Sequence, residues 1–359
     1  MTEPRPQDEA PQPGQRKKGW GRWLRLALGL AALGYLLWRI DLAEAGRVLA
    51  AANLWLLGAA FALTALAMVA LTTVRWQRVV AVQGARVPAA RLARYVLVGY
   101  FYNMFTPGSI GGDVYRVFKL GQELQARGIA AATLVAMAAV ATERLLGLLG
   151  LLPVGWVGFA LLPVRLTGQR EFLAVLGALG IAVLSAPFWM RPRVLRLFRT
   201  PYQWLVNLRL ARRLKLGERL EQLYNAAALY LDRPQTLLVP FGISLLSRLA
   251  WVAAAYLTGL ALGVRLSYAH YMAVLALTEL VRMLPISLGG IGVREGAFIV
   301  LLAPFGVSRE QAFMLSALFY LMLMVLGLVG GIVYVYQLAR ENRPSDGPRE
   351  RSSSSSVVG

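Results

Sequence analysis

Nine ionisable residues sit inside or beside apolar stretches of this chain: Asp113, Arg116, Glu143, Arg144, Arg248, Glu279, Arg282, Arg294 and Glu295. An Asp, Lys or Arg at the centre of a bilayer costs roughly 2.5–3.5 kcal/mol on insertion scales, so nine such groups facing lipid would cost on the order of 20 kcal/mol or more. They are expected to face inward and to pair. Asp113 with Arg116, and Glu279 with Arg282, lie three apart on helical segments, where opposite charges meet. Glu143 beside Arg144, and Arg294 beside Glu295, point in adjacent directions and are expected to bridge between helices. Arg248 lies in mid-span and calls for an internal partner. Five of the nine are positive and four negative, which leaves one spare positive charge. Arginine forks bind phosphate, and helix N-termini offer amide donors, so the set suits the phosphate of an anionic or zwitterionic head group. For any single residue the alternative is a structural pair that locks a helix bundle.

Two glycine-rich breaks carry these charges. PGSIGGDVYR at 107–116 and PISLGGIGVREG at 285–296 align with a constant offset of 178. The alignment pairs Ser109, Gly111 and Gly112 with Ser287, Gly289 and Gly290, and Arg116 with Arg294. Proline removes a backbone donor, glycine permits close packing and positive φ, and serine satisfies freed backbone groups, so such a motif breaks a helix at membrane depth. Helix starts are expected after Gly112 and Gly290. Asn103, just ahead of the first break, reads equally as a helix cap, a backbone bridge or a ligand.

The elements that must hold these residues are membrane helices. Hydrophobic residues make up 57% of the 359, and several apolar runs match the hydrocarbon thickness. Full spans are expected near Leu24–Ile40, Leu54–Val74, Ala130–Leu152, Phe172–Met190, Thr236–Leu262 and Gln311–Gln337. The second is expected to end at Arg75 and Arg78. Between spans, residues 92–126 and 268–304 each hold two arms too short to cross, which predicts re-entrant hairpins entering from opposite sides. The predicted fold is thus all-α: about six spans and two oppositely oriented hairpins in an inverted repeat, an arrangement common in transporters.

The net charge of +20 raises the possibility of nucleic acid. Its distribution points elsewhere, because the basic residues crowd into the N-terminal tail, residues 75–94, residues 191–233 and the C-terminal tail. That is positive-inside topology with attraction to anionic lipid, and it places both termini in the cytoplasm of a plasma-membrane protein. Residues 1–22 and 339–359 read as disordered tails flanking a membrane domain over 23–338. Residues 193–232 alternate Arg and Lys with apolar residues as a basic amphipathic cytoplasmic segment. With no cysteine and one histidine, His270, disulfides, thiolate chemistry and ordinary zinc or haem ligation are excluded, and no cofactor or metal is expected. His270 is expected at an external loop edge.

At PGSIGGDVYR, ATER (141–144) and LPISLGGIGVREG (284–296), the chain resembles the lysylphosphatidylglycerol synthase transmembrane-region family, over roughly residues 22–338. The resemblance implies a flippase-like domain associated with moving aminoacylated phospholipid across the bilayer. It also implies that Asp113, Arg116, Glu143, Arg144, Glu279, Arg282, Arg294 and Glu295 form its polar lining. The larger synthases carry a soluble aminoacyl-transferase domain after the membrane part, which this sequence does not contain, so the cargo need not be lysyl-phosphatidylglycerol. The primary expectation is a non-enzymatic lipid flippase or scramblase. Alternatives are an integral-membrane transferase on a polyprenyl or phospholipid carrier, with Asp113 or Glu143 as base, or an accessory subunit of a cell-envelope biosynthetic enzyme. No GxxxxGK[ST] nucleotide motif occurs, so energy would come from a gradient or a partner, or transport would be passive.

Overall fold

A computed structural model describes residues 42–104, 106, 110–162, 229–230, 234–283 and 292–341, all helix and turn. The expected spans near 24–40 and 172–190, the basic segment 193–232 and both tails lie largely or wholly outside the described residues. A short helix, α1 (Leu42–Ala50), precedes the first long one. That long helix, α2 (Leu54–Val82), starts at Asn53, whose Oδ1 accepts from the amides of Trp55 and Leu56 at 3.0 and 3.2 Å. The others are α3 (Ala89–Met104), α4 (Ile110–Gln125), α5 (Ala132–Ala160), α6 (Leu238–Ala261), α7 (Tyr268–Met283), α8 (Val293–Leu302) and α9 (Arg309–Glu341). Four described helices are long and apolar enough to cross a membrane: those at Leu54–Val82, Ala132–Ala160, Pro234–Ala261 and Arg309–Gln337.

Two of these run further than the sequence suggests. Helix α2 continues through Arg75 and Arg78 to Val82, because the Arg75 side chain finds buried partners and the helix need not stop there. Helix α5 continues through Pro153 to Ala160, as a membrane helix can when neighbouring elements accommodate the lost donor.

The order long helix, two short helices, long helix occurs twice, and the turns repeat with it. Gly84 at φ +77° closes α2 with its amide on Ala81 O at 3.0 Å, and Gly263 at φ +76° closes α6 on Leu260 O at 3.1 Å. Gly128 and Gly306, at φ +73° and +75°, do the same ahead of α5 and α9.

The equivalent helices α2 and α6 pack antiparallel. Asn53 N donates to Ala261 O at 3.0 Å at one end, Ser247 Oγ to Ala67 O at 2.9 Å midway, and Tyr230 OH to Val79 O at 3.1 Å at the other. The two halves therefore run in opposite senses.

Packing between the halves follows the same exchange. Helix α3 of the first half lies on α9 of the second, and α7 of the second lies on α5 of the first. Small residues permit both contacts: a Cβ on Gly330 would stand 2.0 Å from Leu97 O, and one on Gly158 2.6 Å from Ala273 N. Trp251 stacks on Phe319 at 4.0 Å in the core joining α2, α6, α7, α8 and α9, while Trp76 anchors the core of α2 to α5.

Within α2, residues Leu66–Leu71 form a π-helix. Its wider turn leaves carbonyls for side chains: Ala67 O accepts from Thr72 and Ser247, and Met68 O from Tyr100 at 3.2 Å.

Candidate functional site

The first short-helix pair is fastened at its break. Thr106 Oγ1 accepts the Gly111 amide at 3.0 Å and Asn103 Oδ1 the Gly112 amide at 2.8 Å. Asn103, near the end of α3, thus acts as a backbone bridge to the first turn of α4, and it also lines a cavity enclosed by helices of both halves. Helix α4 starts at Ile110 rather than after Gly112, and its amides at 111 and 112 are already taken by side chains, so they are not open to an anion. Gly112 is required by contact: a Cβ there would lie 2.4 Å from Gly99 O. Glycine at both positions brings α3 and α4 together and aims Asp113 and Arg116 at α5.

On α5, Glu143 is 2% exposed and accepts from two guanidiniums, Arg116 Nη1 at 3.0 Å and Arg75 Nη2. Arg144 Nε meets Asp113 at 2.7 Å, and Arg116 Nη1 lies 3.6 Å from the same carboxylate. Glu143 thus bridges α5 to α2 and α4, and Arg144 bridges it to α4 a second time. Arg116 also lies over the Trp76 ring at 4.1 Å, and Arg75 donates to Ser244 Oγ at 3.1 Å. Arg248 on α6 donates from Nε to Gly147 O at 3.1 Å. Gly147 makes the room, since a Cβ there would stand 3.2 Å from Arg248 Nη2 and 3.9 Å from the Arg75 guanidinium.

These groups line one cavity of about 220 Å³ enclosed by helices of both halves. Its described walls carry the guanidiniums of Arg75, Arg116, Arg144 and Arg248 and the carboxylates of Asp113, Glu143 and Glu279, one positive charge in excess. Arg144 keeps 45% of its side chain accessible and Asp113 24%, so these two face the cavity space, whereas Arg116 and Glu143 are walled in at 8% and 3%. Arg116 Nε and Nη2 and Arg75 Nε are buried with no hydrogen-bond acceptor among the described residues. An unmet buried donor is costly, which makes the arrangement receptive to anionic oxygen.

Sequence reasoning missed Arg75. A basic residue after an apolar run reads as a membrane boundary, and only the carboxylate of Glu143, far off in the chain, shows otherwise. It missed Gly147 too, which carries no motif.

The second half is built differently. Of Arg294 and Glu295, both expected to bridge between helices, Glu295 does not: it pairs with Arg294 Nη2 through Oε1 on the same turn and reaches back to cap α8, its Oε2 accepting the Gly292 amide at 2.7 Å. Helix α8 starts at Val293, later than the expected start after Gly290, with Gly292 at φ +79° as its cap. Arg294 reaches α9, donating to Ser316 Oγ at 3.1 Å and lying over the Tyr320 ring at 3.9 Å. Neither Arg294 nor Glu295 lines the cavity, whereas Tyr320 does. Ser109, Ser287, Gly289 and Gly290, and the side chain of Arg282, lie outside the described residues. His270 stands at a loop edge, in the first turn of α7, and is buried at 7%, its Nδ1 2.7 Å from Ser267 Oγ and its ring edge-on to Phe305.

The model of the family described as lysylphosphatidylglycerol synthase TM region matches residues 22–331. Comparison with curated proteins finds no match.

Proposed function

Because the chain belongs to the lysylphosphatidylglycerol synthase transmembrane-region family, we propose that it is a flippase or scramblase that passes a phospholipid or glycolipid head group between its two halves. The family membership and the four long apolar helices make it an integral membrane protein related to lipid metabolism or transport. The observation that carries the finer reading is the Arg116 guanidinium, which offers two buried donors with no acceptor among the described residues, at the wall of a cavity between oppositely oriented halves.

The head-group phosphate would accept from Arg116 and from the accessible Arg144, with the excess positive charge offsetting its own. Asp113 and Glu143 hold the guanidiniums in place and exchange partners with the phosphate as it enters and leaves. At about 220 Å³ the cavity is smaller than the roughly 300–1,000 Å³ of pockets that enclose whole ligands, which supports a head group inside and acyl chains in the bilayer. The short-helix pairs act as re-entrant hairpins, and rocking of one half against the other exposes the cavity to each leaflet in turn.

The test is reconstitution into liposomes holding head-group-labelled phospholipids, with outer-leaflet quenching as the readout. Wild type should move some lipids faster than others. Arg116→Gln and Arg144→Gln, each removing a charge-assisted contact, should slow them by about 10–100-fold. Rates no faster than in empty liposomes, or unchanged in both variants, would sink the reading.

A further inference from the structure

Arg116 and Arg294 stand 178 residues apart at equivalent places in the repeat, yet of the two only Arg116 lines the cavity. What stands beside Arg294 is a single aromatic ring. Tyr320 is half-buried and lines the cavity, and the Arg294 guanidinium lies over that ring 3.9 Å from its centre. Ser316, one turn earlier on α9, is fully buried and accepts from Arg294 Nε at 3.1 Å. A guanidinium and a hydroxyl, both suited to phosphate oxygen, are thus packed one ring away from the head-group cavity. Glu295 shares this guanidinium, pairing with Arg294 Nη2 through one oxygen while the other accepts the Gly292 amide at 2.7 Å, so a phosphate would bind Arg294 through its remaining N–H groups and Ser316.

We propose that Tyr320 is a movable partition, and that Arg294 with Ser316 forms a second subsite for a phosphate anion, continuous with the cavity once the ring swings aside. The inference rests on the reading of the cavity as a head-group path. A phosphate leaving Arg116 would be taken up by Arg294 on the opposite half, so each half presents one arginine to the same passing group. The partition keeps the two arginines from being filled together, which would hold the head group too firmly to release it.

The chain contains no cysteine, so Ser316→Cys introduces a lone thiol behind the ring. Its labelling by anionic sulfonatoethyl and cationic trimethylammonioethyl methanethiosulfonates can be followed by intact mass. With Tyr320 in place labelling should be slow but measurable. Tyr320→Ala should speed it about tenfold, and the anionic reagent should lead the cationic one by about tenfold, a preference that Arg294→Gln abolishes. If Tyr320→Ala aggregates, Tyr320→Leu serves in its place.

Equal rates with and without the ring overturn the partition, and so does a thiol that never reacts while the ring is intact. A charge preference that survives Arg294→Gln overturns the subsite. Protection from labelling by short-chain phosphatidylglycerol alone assigns the subsite to a lipid phosphate, protection by inorganic phosphate as well assigns it to phosphate generally, and protection by neither overturns it. Labelling requires no transport, so its outcome is independent of the liposome assay.

Discussion

Replacing Glu143 by Gln tests whether the charges around the cavity are held as one lattice. The carboxylate serves Arg75 through one oxygen and Arg116 through the other. A glutamine keeps one oxygen and turns an amide NH₂ toward the second guanidinium, donor against donor. The direct loss is one charge-assisted hydrogen bond, about 1.5–3 kcal/mol, and because Arg116 keeps Asp113 at 3.6 Å, Arg75 is the guanidinium left buried without a described counter-charge. Breaking a buried pair from one side costs about 3–5 kcal/mol in total. At about 2–4 °C per kcal/mol for a large domain, melting should fall by roughly 6–20 °C. The assay is retention of the monodisperse peak on size exclusion after heating detergent-solubilised protein. Adding Arg75→Met removes the orphaned charge, and the double variant should melt above the Glu143→Gln single variant. A single variant within about 2 °C of the parent, or a double variant with simply additive losses, would refute the lattice.

Three further outcomes follow from close contacts and from charge. Gly112→Ala places a Cβ 2.4 Å from Gly99 O and 2.7 Å from Asn103 Oδ1, so it should cost about 1–3 kcal/mol and leave the break between α3 and α4 more sensitive to protease. Gly147→Leu fills the space between Arg248 and Arg75, and it should abolish lipid movement at a smaller loss of folded protein than Glu143→Gln, read by liposome assay and by yield. Glu123 sits where α4 ends, paired with Arg91 at 2.5 Å and Arg127 at 2.7 Å. Burial raises its pKa, but the hydrogen bonds from Arg127 and Arg91 outweigh burial and hold the carboxyl below its ordinary value. Its stabilisation is therefore present above the unfolded carboxylate value of about 4.3 and lost as pH falls through the lower folded one. Melting of wild type should drop over that acid range more than melting of Glu123→Gln, and the difference should shrink in high salt.

Much of this was legible in the sequence because membrane burial makes charge conspicuous. Asp113, Glu143 and Arg144 stand out in apolar runs for the same reason that they must pair, and Pro-Gly-Ser spacing marks a break wherever it falls. The repeat showed in a handful of residues, and the turn glycines follow it, Gly128 and Gly306 at the same offset and Gly84 and Gly263 within one residue of it. What stayed hidden depends on tertiary partners. Arg75 is a boundary residue by composition and a cavity residue by virtue of Glu143. The π-turn at Leu66–Leu71 leaves no mark in an apolar run, since its carbonyls are met by Ser247 and Tyr100 from other helices. Glu295 was misread because a residue that caps its own helix looks, in sequence, the same as one that reaches for a neighbour, as Arg294 does for Ser316 on α9.

The packing of α3 on α9 sets the order in which the chain can be completed during synthesis. Gly330, which receives Leu97 O, leaves the ribosome about 230 residues after its contact, on the order of 10–50 s later at about 5–20 residues per second. Until then α3 has been inserted but lacks the surface that will cover it, and the equivalent contact of α7 on α5 forms early because α5 is already present. The contact of α7 is thus made against a helix already in place, while α3 waits for α9. A slow codon run or an insertase acting after residue 125 would protect the waiting arms. A ribosome stalled between α7 and α9 would leave α3 exposed to membrane proteases while α7 is already covered by α5.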